Sequence, residues 1–239
     1  MEPRFTSRPL IWDGFYFLSL CYYLLGVDIL FKNLINDLDA YLERDPAARS
    51  RFEVYFLYAG FKALRSYRKA HWFYNHKMKF IARWISQSCR RRTGVEIHPG
   101  ATIGKGLVID HGMGVVIGET TVIGDNCTIY QNVTLGGTGK DHGKRHPTLG
   151  NNVLVGSGAK VLGPFNVGDN ARIAAGAVVL SEVPADSTAV GVPARIVRIA
   201  GQKVEELDHI HVSDPVAQNL CRLEHEITVL RKELEEMKK

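Results

Sequence analysis

An aliphatic residue returns every six positions from Ile97 to Val179, often followed by glycine. The run is Ile97, Ile103 and Ile109, a slip of two residues, then Ile117, Ile123, Ile129 and Leu135, a longer interruption, and Leu149, Val155, Val161, Val167, Ile173 and Val179. A six-residue period is too short for a helix pair and too regular for scattered strands. It predicts a parallel β-helix in which each hexapeptide supplies one short flat strand and one turn, three to a triangular coil. The aliphatic side chains should point inward and stack on their counterparts one coil below. Gly104, Gly118, Gly124, Gly150, Gly156 and Gly168 are expected at the corners, to relieve crowding or supply unusual backbone angles. Ala101, Ala159, Ala171 and Ala177 suit the tight interior, and Gly124-Asp125-Asn126 and Gly168-Asp169-Asn170 read as corner turns.

Upstream the period changes to that of helices. Residues 1–13 read as an irregular arm. The apolar run from Gly14 to Val27 falls short of the roughly 20 residues needed to cross a bilayer, so it reads as a buried or interface helix. No small-residue cleavage site follows it, so no signal peptide is expected. Leu30, Leu34, Ile35, Leu38 and Leu42 predict a helix over Ile29 to Leu42 that stops near Arg44, because Pro46 disfavours the helical conformation at Asp45. Asp45 alone reads as a helix N-cap. A second helical region is predicted from Arg51 to Arg65 and onward through Tyr67, Arg68, His71 and Trp72 to Arg91, with His71 a satisfied helix histidine. Downstream, Leu220, Leu223, Ile227, Leu230, Leu234 and Met237 form a heptad seam that predicts a parallel coiled coil, the alternative being a single helix docked on its own solenoid. The expectation is an α+β chain in three parts: a helical domain over 1–94, the β-helix over 95–200, and a tail with a heptad helix over 201–239.

Composition narrows the partners. The 239 residues carry a net charge of +5, and Arg90, Arg91 and Arg92 form a run just before the repeats. Without an aromatic-interleaved groove such a run reads as a solvated face, so nucleic acid is not expected, while a phosphate-bearing cofactor would account for part of the bias. The 4 cysteines, Cys21, Cys89, Cys127 and Cys221, lie far apart without CxxC spacing. They read as free thiols in a reducing compartment, the cytoplasm, and as neither zinc site nor disulfide frame.

Chemistry should lie where the repeat is broken, because loops that interrupt a rigid scaffold commonly carry binding or catalysis. The slip at Asp110-His111-Gly112-Met113-Gly114 puts a histidine at a bulged corner. The excursion from Gly136 to Pro147 gathers Lys140, His142, Lys144, Arg145 and His146.

Left-handed hexapeptide solenoids commonly house acyltransferases that use acetyl-CoA, and over roughly residues 37 to 197 the chain resembles the serine O-acetyltransferase family. The markers are Asp45-Pro46-Ala47, Gly60-Phe61-Lys62-Ala63-Leu64, Tyr67-Arg68, His71-Trp72, Ile97-His98-Pro99, Ile109-Asp110-His111, Gly118-Glu119-Thr120, Val133 to Lys140, Arg145-His146-Pro147 and Gly191 to Arg195. The resemblance implies a left-handed parallel β-helix and transfer of acetyl from acetyl-CoA to the hydroxyl of L-serine, in cysteine biosynthesis. An alcohol needs a base to attack a thioester, and histidine's unperturbed pKa of about 6.5 suits the task. By resemblance His111 is that base and Glu96, where other members carry Asp, orients its ring. Asp45 and Asp110 are implied for the substrate ammonium, Arg145 for its carboxylate, and His146 as a second histidine in contact with substrate. Gly137, Thr138, Ser157, Gly158, Ala175 and Gly176 are implied along the CoA arm, with Arg195 near its phosphates. No metal is implied.

The family assembles as homotrimers or dimers of trimers with active sites between subunits, so a monomer should be inactive. Many members end in an isoleucine that enters O-acetylserine sulfhydrylase. This chain ends Glu235-Glu236-Met237-Lys238-Lys239, and that complex is not expected. Three rivals stay open: an acetyltransferase for homoserine or a sugar on the same scaffold, a zinc lyase of the carbonic anhydrase type using His111, His142 and His146, and a non-catalytic partner protein.

Overall fold

The computed structural model describes residues 34–139, 142–200, 202–203 and 227. The apolar run over 14–27 lies outside them, as does the heptad seam apart from Ile227. Among the described residues four helices precede the strands: α1 through 34–44, α2 (Arg51–Leu57), α3 (Ala59–Asn75) and α4 (Lys79–Thr93). α1 ends where Pro46 requires. α2 starts at Ser50, whose hydroxyl accepts the Glu53 N–H (3.2 Å) while Glu53 reaches back to the Arg49 N–H (3.3 Å).

The continuous helix expected from Arg51 to Arg91 is broken twice. Tyr58 takes an extended backbone (ψ 118°), and the chain turns again at His76 to Met78, with Lys77 at φ 63°. A straight helix of that length would run roughly 60 Å. The breaks fold it into a layer in which Ala63, Leu64 and Tyr67 join the interior of the β-helix. Gly94, at φ 71°, ends α4.

From Glu96 the chain winds as a left-handed parallel β-helix. β1 (Glu96–Ile97), β4 (Val116–Ile117), β7 (Thr134–Gly136), β10 (Lys160–Leu162) and β13 (Val178–Val179) form one face. β2 (Thr102–Ile103), β5 (Val122–Ile123), β8 (Thr148–Leu149) and β11 (Asn166–Val167) form the second. β3 (Val108–Ile109), β6 (Thr128–Ile129), β9 (Leu154–Val155) and β12 (Arg172–Ile173) form the third, extended by β14 (Ser187–Val190), β15 (Arg195–Ile199) and β16 (Gln202–Lys203). The aliphatic positions pair in register, Ile97 with Ile117 and Leu135 with Val161. All 13 repeat positions are buried, none more than 6% exposed. Each such side chain contributes roughly 1.5–3 kcal/mol. The corner glycines stand in contact with the next coil: a Cβ at Gly104 would meet the Gly124 carbonyl carbon at 2.8 Å, and one at Gly168 the Ala185 nitrogen at 2.4 Å. The left-handed corner positions fall to Asn126, Asn152, Asn170 and Asp186.

The first coil has exposed strand edges, and side chains of the helices satisfy them. Ser86 Oγ donates to the Ile97 carbonyl (2.7 Å), Tyr67 Oη to Ala101 (2.6 Å) and Arg68 Nη1 to Ile103 (2.7 Å). Asp37, 1% exposed, accepts the Gly106 N–H (2.8 Å) and pairs with Arg68 (3.2 Å). His71 is bonded on both ring nitrogens, to the Pro99 carbonyl (2.8 Å) and to Asn75 Nδ2 (2.9 Å), and serves the same packing.

Candidate active site

The two extra residues between β3 and β4 form a bulge at one edge of the prism. Three residues there have positive φ: His111 (57°), Gly112 (77°) and Gly114 (75°). Gly114 has no alternative, since a Cβ would lie 2.1 Å from Asn132 Oδ1. The bulge turns the His111 side chain outward, 75% exposed. Asp110 Oδ1 stands 4.0 Å from His111 Nε2, within reach through one water. Asp45, in the turn after α1, accepts the Ala47 N–H on Oδ1 (2.8 Å) and lies near the Tyr58 hydroxyl. Burial pushes that phenol up to about 12, and Asp45 beside it, with the charges of Glu53 and Asp110, adds to the shift. Asp110 is thus the carboxylate beside the imidazole, and Asp45 and Asp110 both act on the Tyr58 phenol. Tyr58 escaped the sequence reading because nothing local distinguishes it among 9 tyrosines.

A second cluster occupies the next edge, after β4. His146, 8% exposed, returns from the excursion and lies flat on Gly118, where a Cβ would meet its ring at 1.9 Å. The Thr120 N–H donates to His146 Nδ1 (3.2 Å), so Nδ1 is unprotonated and Nε2 carries the proton. Burial lowers the His146 pKa and the Arg145 charge lowers it further, which keeps the ring neutral. Thr120 Oγ1 is the hub: it accepts the N–H groups of Arg145 (3.1 Å) and His146 (3.2 Å) and lies 2.9 Å from Nδ1. Glu119 fixes Arg145 through a 2.6 Å ion pair and takes the Tyr74 hydroxyl at 3.1 Å. The bond from Arg145 is the main reason its pKa falls. Glu119 and Thr120 were legible as part of a motif, but their task was not.

Glu96 departs from expectation. Its carboxylate is held by Gln87 Nε2 (3.3 Å) and Arg90 Nε (3.3 Å), and the structure does not bring it to His111. The arginine run that closes α4 lies beside β1, so a long acidic side chain there finds a cation first. The carboxylate beside the His111 ring is that of Asp110.

The expected CoA-arm residues divide between the same two edges. Ser157-Gly158 and Ala175-Gly176 stack above the His111 bulge: Asn132 N–H bonds to the Met113 carbonyl (2.8 Å), Gly158 N–H to Gln131 (2.9 Å) and Gly176 N–H to Ser157 (2.8 Å). Gly158 and Gly176 are open outward, a Cβ on either meeting nothing within 4 Å. Three coil spacings, about 14 Å, separate His111 from Ala175. Gly137 and Thr138 open the excursion on the other edge, Gly137 within Cβ range (2.9 Å) of the Arg145 carbonyl. Arg195 begins β15, exposed, beside a turn whose Ala194 N–H bonds to Val178 (2.8 Å). His142 is exposed on the excursion. Among the described residues no group of three or more His, Cys, Asp or Glu could hold a metal ion, and no helix is long and apolar enough to cross a membrane.

Comparison with known proteins shows the family. Residues 146–181 match the family model described as bacterial transferase hexapeptide (six repeats). The chain is 54% identical over 206 residues to a serine acetyltransferase of Synechococcus elongatus, covering 86% of this chain and 84% of that one. It is 52% identical over 211 residues to a serine acetyltransferase of Bacillus subtilis, covering 88% and 97%. Among solved structures, the Neisseria gonorrhoeae serine acetyltransferase in complex with serine superposes with a TM-score of 0.70 at 40% identity, over 74% of this chain and 73% of that one. With the solenoid, the kinked histidine and identity above one half over most of its length all in agreement, the chain belongs to the serine acetyltransferase family.

Proposed function

We propose that the protein transfers the acetyl group of acetyl-CoA to the hydroxyl of L-serine, releasing O-acetylserine and CoA. One observation carries the reading: an outward imidazole on a left-handed kink, with Asp110 beside it, on the same edge as an open glycine column. His111 takes the serine hydroxyl proton as that oxygen attacks the thioester carbon. Asp110 steadies the imidazolium that results, and Asp45 and Asp110 receive the substrate ammonium. Arg145, with Nη2 on Glu119, keeps the rest of its guanidinium for the substrate carboxylate, and His146 offers its Nε2–H. A backbone amide at Gly136 or Gly137 is assigned to the developing oxyanion. The bound cosubstrate supplies the activated acyl group. Ser157, Gly158, Ala175 and Gly176 line the path of its arm, with Arg195 toward the phosphates.

His111 follows β3 and His146 packs against the turn after β4, so within one chain they lie on different edges of the prism. This supports a homotrimer, or a dimer of trimers, in which the His111 edge of one subunit faces the Arg145-His146 edge of the next. In this reading residues 1–94 form the helical domain, 95–200 the catalytic solenoid and 201–239 a tail whose heptads meet on the threefold axis. We place the protein in the cytoplasm.

The test is serine-dependent CoA release by wild type and His111→Ala, with homoserine and galactosides as competing acceptors. Loss of a general base should lower kcat by about 10²–10⁴. A His111→Ala enzyme with wild-type kcat, or preference for a sugar, would defeat the reading.

A further inference from the structure

The strand that ends beneath His111 takes its outer hydrogen bonds from a side chain. Among the described residues β3 is the last strand of its sheet and pairs only with β6. On its other side Ile109 gives its N–H to Tyr41 Oη (2.9 Å) and receives the Tyr41 O–H on its carbonyl (3.1 Å). Tyr41 is 1% exposed, so no bulk water competes. Gly60 on α3 permits the approach, since a Cβ there would lie 2.0 Å from the Ile109 oxygen and 2.8 Å from Tyr41 Oη. The backbone of Tyr41 makes a second link: its carbonyl accepts the Asp45 N–H (2.9 Å) and closes α1. Asp110 and His111 follow Ile109 directly. A single residue thus joins Asp45 on the helical layer to Asp110 and His111 on the coil.

We propose that Tyr41 is a positioning residue for acceptor binding, its hydroxyl setting the separation between Asp45 and the Asp110-His111 pair by holding both polar groups of Ile109. The proposal rests on the reading that these carboxylates receive the acceptor's ammonium. Phenylalanine at this position keeps the edge contacts with Tyr58 (5.7 Å) and Phe61 (5.9 Å) but strands a buried N–H and a buried carbonyl. The strand end then shifts to recover partners, and the two carboxylates no longer converge on one cation. The CoA column lies on later coils and is not touched by this contact.

Tyr67 provides a matched control: its buried hydroxyl also caps a first-coil carbonyl, that of Ala101 (2.6 Å), on a turn away from the bulge. Full-length Tyr41→Phe and Tyr67→Phe are compared with wild type by thermal melting, oligomer mass and steady-state kinetics in both substrates. Both variants should melt lower. Only Tyr41→Phe should raise the serine KM, by about tenfold, the worth of one lost buried hydrogen bond, with the acetyl-CoA KM within about twofold of wild type. A Tyr41→Phe enzyme with wild-type serine KM overturns the proposal, as does a parallel change of both KM values in the two variants. Should Tyr41→Phe not fold, Gly60→Ala disturbs the same junction from α3 and should raise the serine KM alone. An unchanged serine KM there would count against Tyr41 in the same way. Wild type without serine-dependent CoA release would overturn the proposed function itself, whereas an active wild type with an indifferent Tyr41→Phe removes only the role of Tyr41.

Discussion

Replacing Thr120 with valine keeps the shape of the side chain and deletes one oxygen, and that oxygen organises the second half of the site. It accepts two backbone N–H groups, from Arg145 (3.1 Å) and His146 (3.2 Å), and lies 2.9 Å from His146 Nδ1. Three hydrogen bonds at about 0.5–1.5 kcal/mol each give up to about 4.5 kcal/mol, and about 2 kcal/mol is expected because Thr120 is only half-buried. For a chain of this size that is a fall in Tm of about 4–8 °C. The larger effect should be on substrate. His146 Nδ1 keeps only the 3.2 Å bond from the Thr120 N–H, and the returning segment at Arg145-His146 loses the acceptor of its two backbone N–H groups. Serine kcat/KM should fall by about tenfold or more, as expected for a binding group displaced by a fraction of an ångström. Thr120→Ser keeps the hydroxyl and should stay within about twofold of wild type. Melting curves with serine-saturation kinetics on both variants check the argument. A Thr120→Val enzyme with wild-type serine kcat/KM, or a Thr120→Ser enzyme equally damaged, would refute it.

Three further outcomes follow from the same contacts. Arg68→Met leaves the Asp37 carboxyl, 1% exposed, buried without its cation and should cost about 3–5 kcal/mol by chemical denaturation, while adding Asp37→Asn should restore much of the loss. His98 and His146 both have pKa values lowered from 6.5, chiefly by burial, so the folded chain binds fewer protons than the unfolded one. Their stability contribution is complete above pH 6.5 and is lost as pH falls below it; Glu119, lowered from 4.5 mainly by Arg145, adds a further loss at more acid pH. Tm should therefore decline from pH 7.5 to about 5, and a flat or rising Tm in that window would contradict the burial of these rings. Glu96→Gln should leave kcat within about threefold, because Arg90 and Gln87 hold that carboxylate, whereas Asp110→Asn should lower it by about tenfold or more. A hundredfold fall in Glu96→Gln would return the ring-orienting role to Glu96.

The residues that could be read from order alone are those whose partners are set by repetition. Ile97, Ile123 and Val155 announce the solenoid because an inward side chain recurs wherever a flat strand recurs, and all of them are buried. His111 was legible for the related reason that a slip in a strict period must put its residues outside the coil. Arg145 and His146 were legible because an excursion has to return. What remained hidden was decided by contacts with no local trace. Tyr41 meets Ile109 across 68 positions, and Arg145 meets Glu119 across 26. The helix expected to run from Arg51 to Arg91 breaks at Tyr58 and Lys77, and the breaks let Ala63, Leu64 and Tyr67 pack into the core of the coil, a long-range contact that no propensity encodes. Glu96 faces Arg90 rather than His111 because α4 delivers its arginines to the first strand, a matter of packing between layers. Sequence periodicity therefore determined the solenoid and its two exceptional corners, since each coil repeats one local geometry. Only the docking of the helical layer decided which carboxylate, phenol and hydroxyl serve each corner, since hydrogen bonds between distant segments exist only once both are in place.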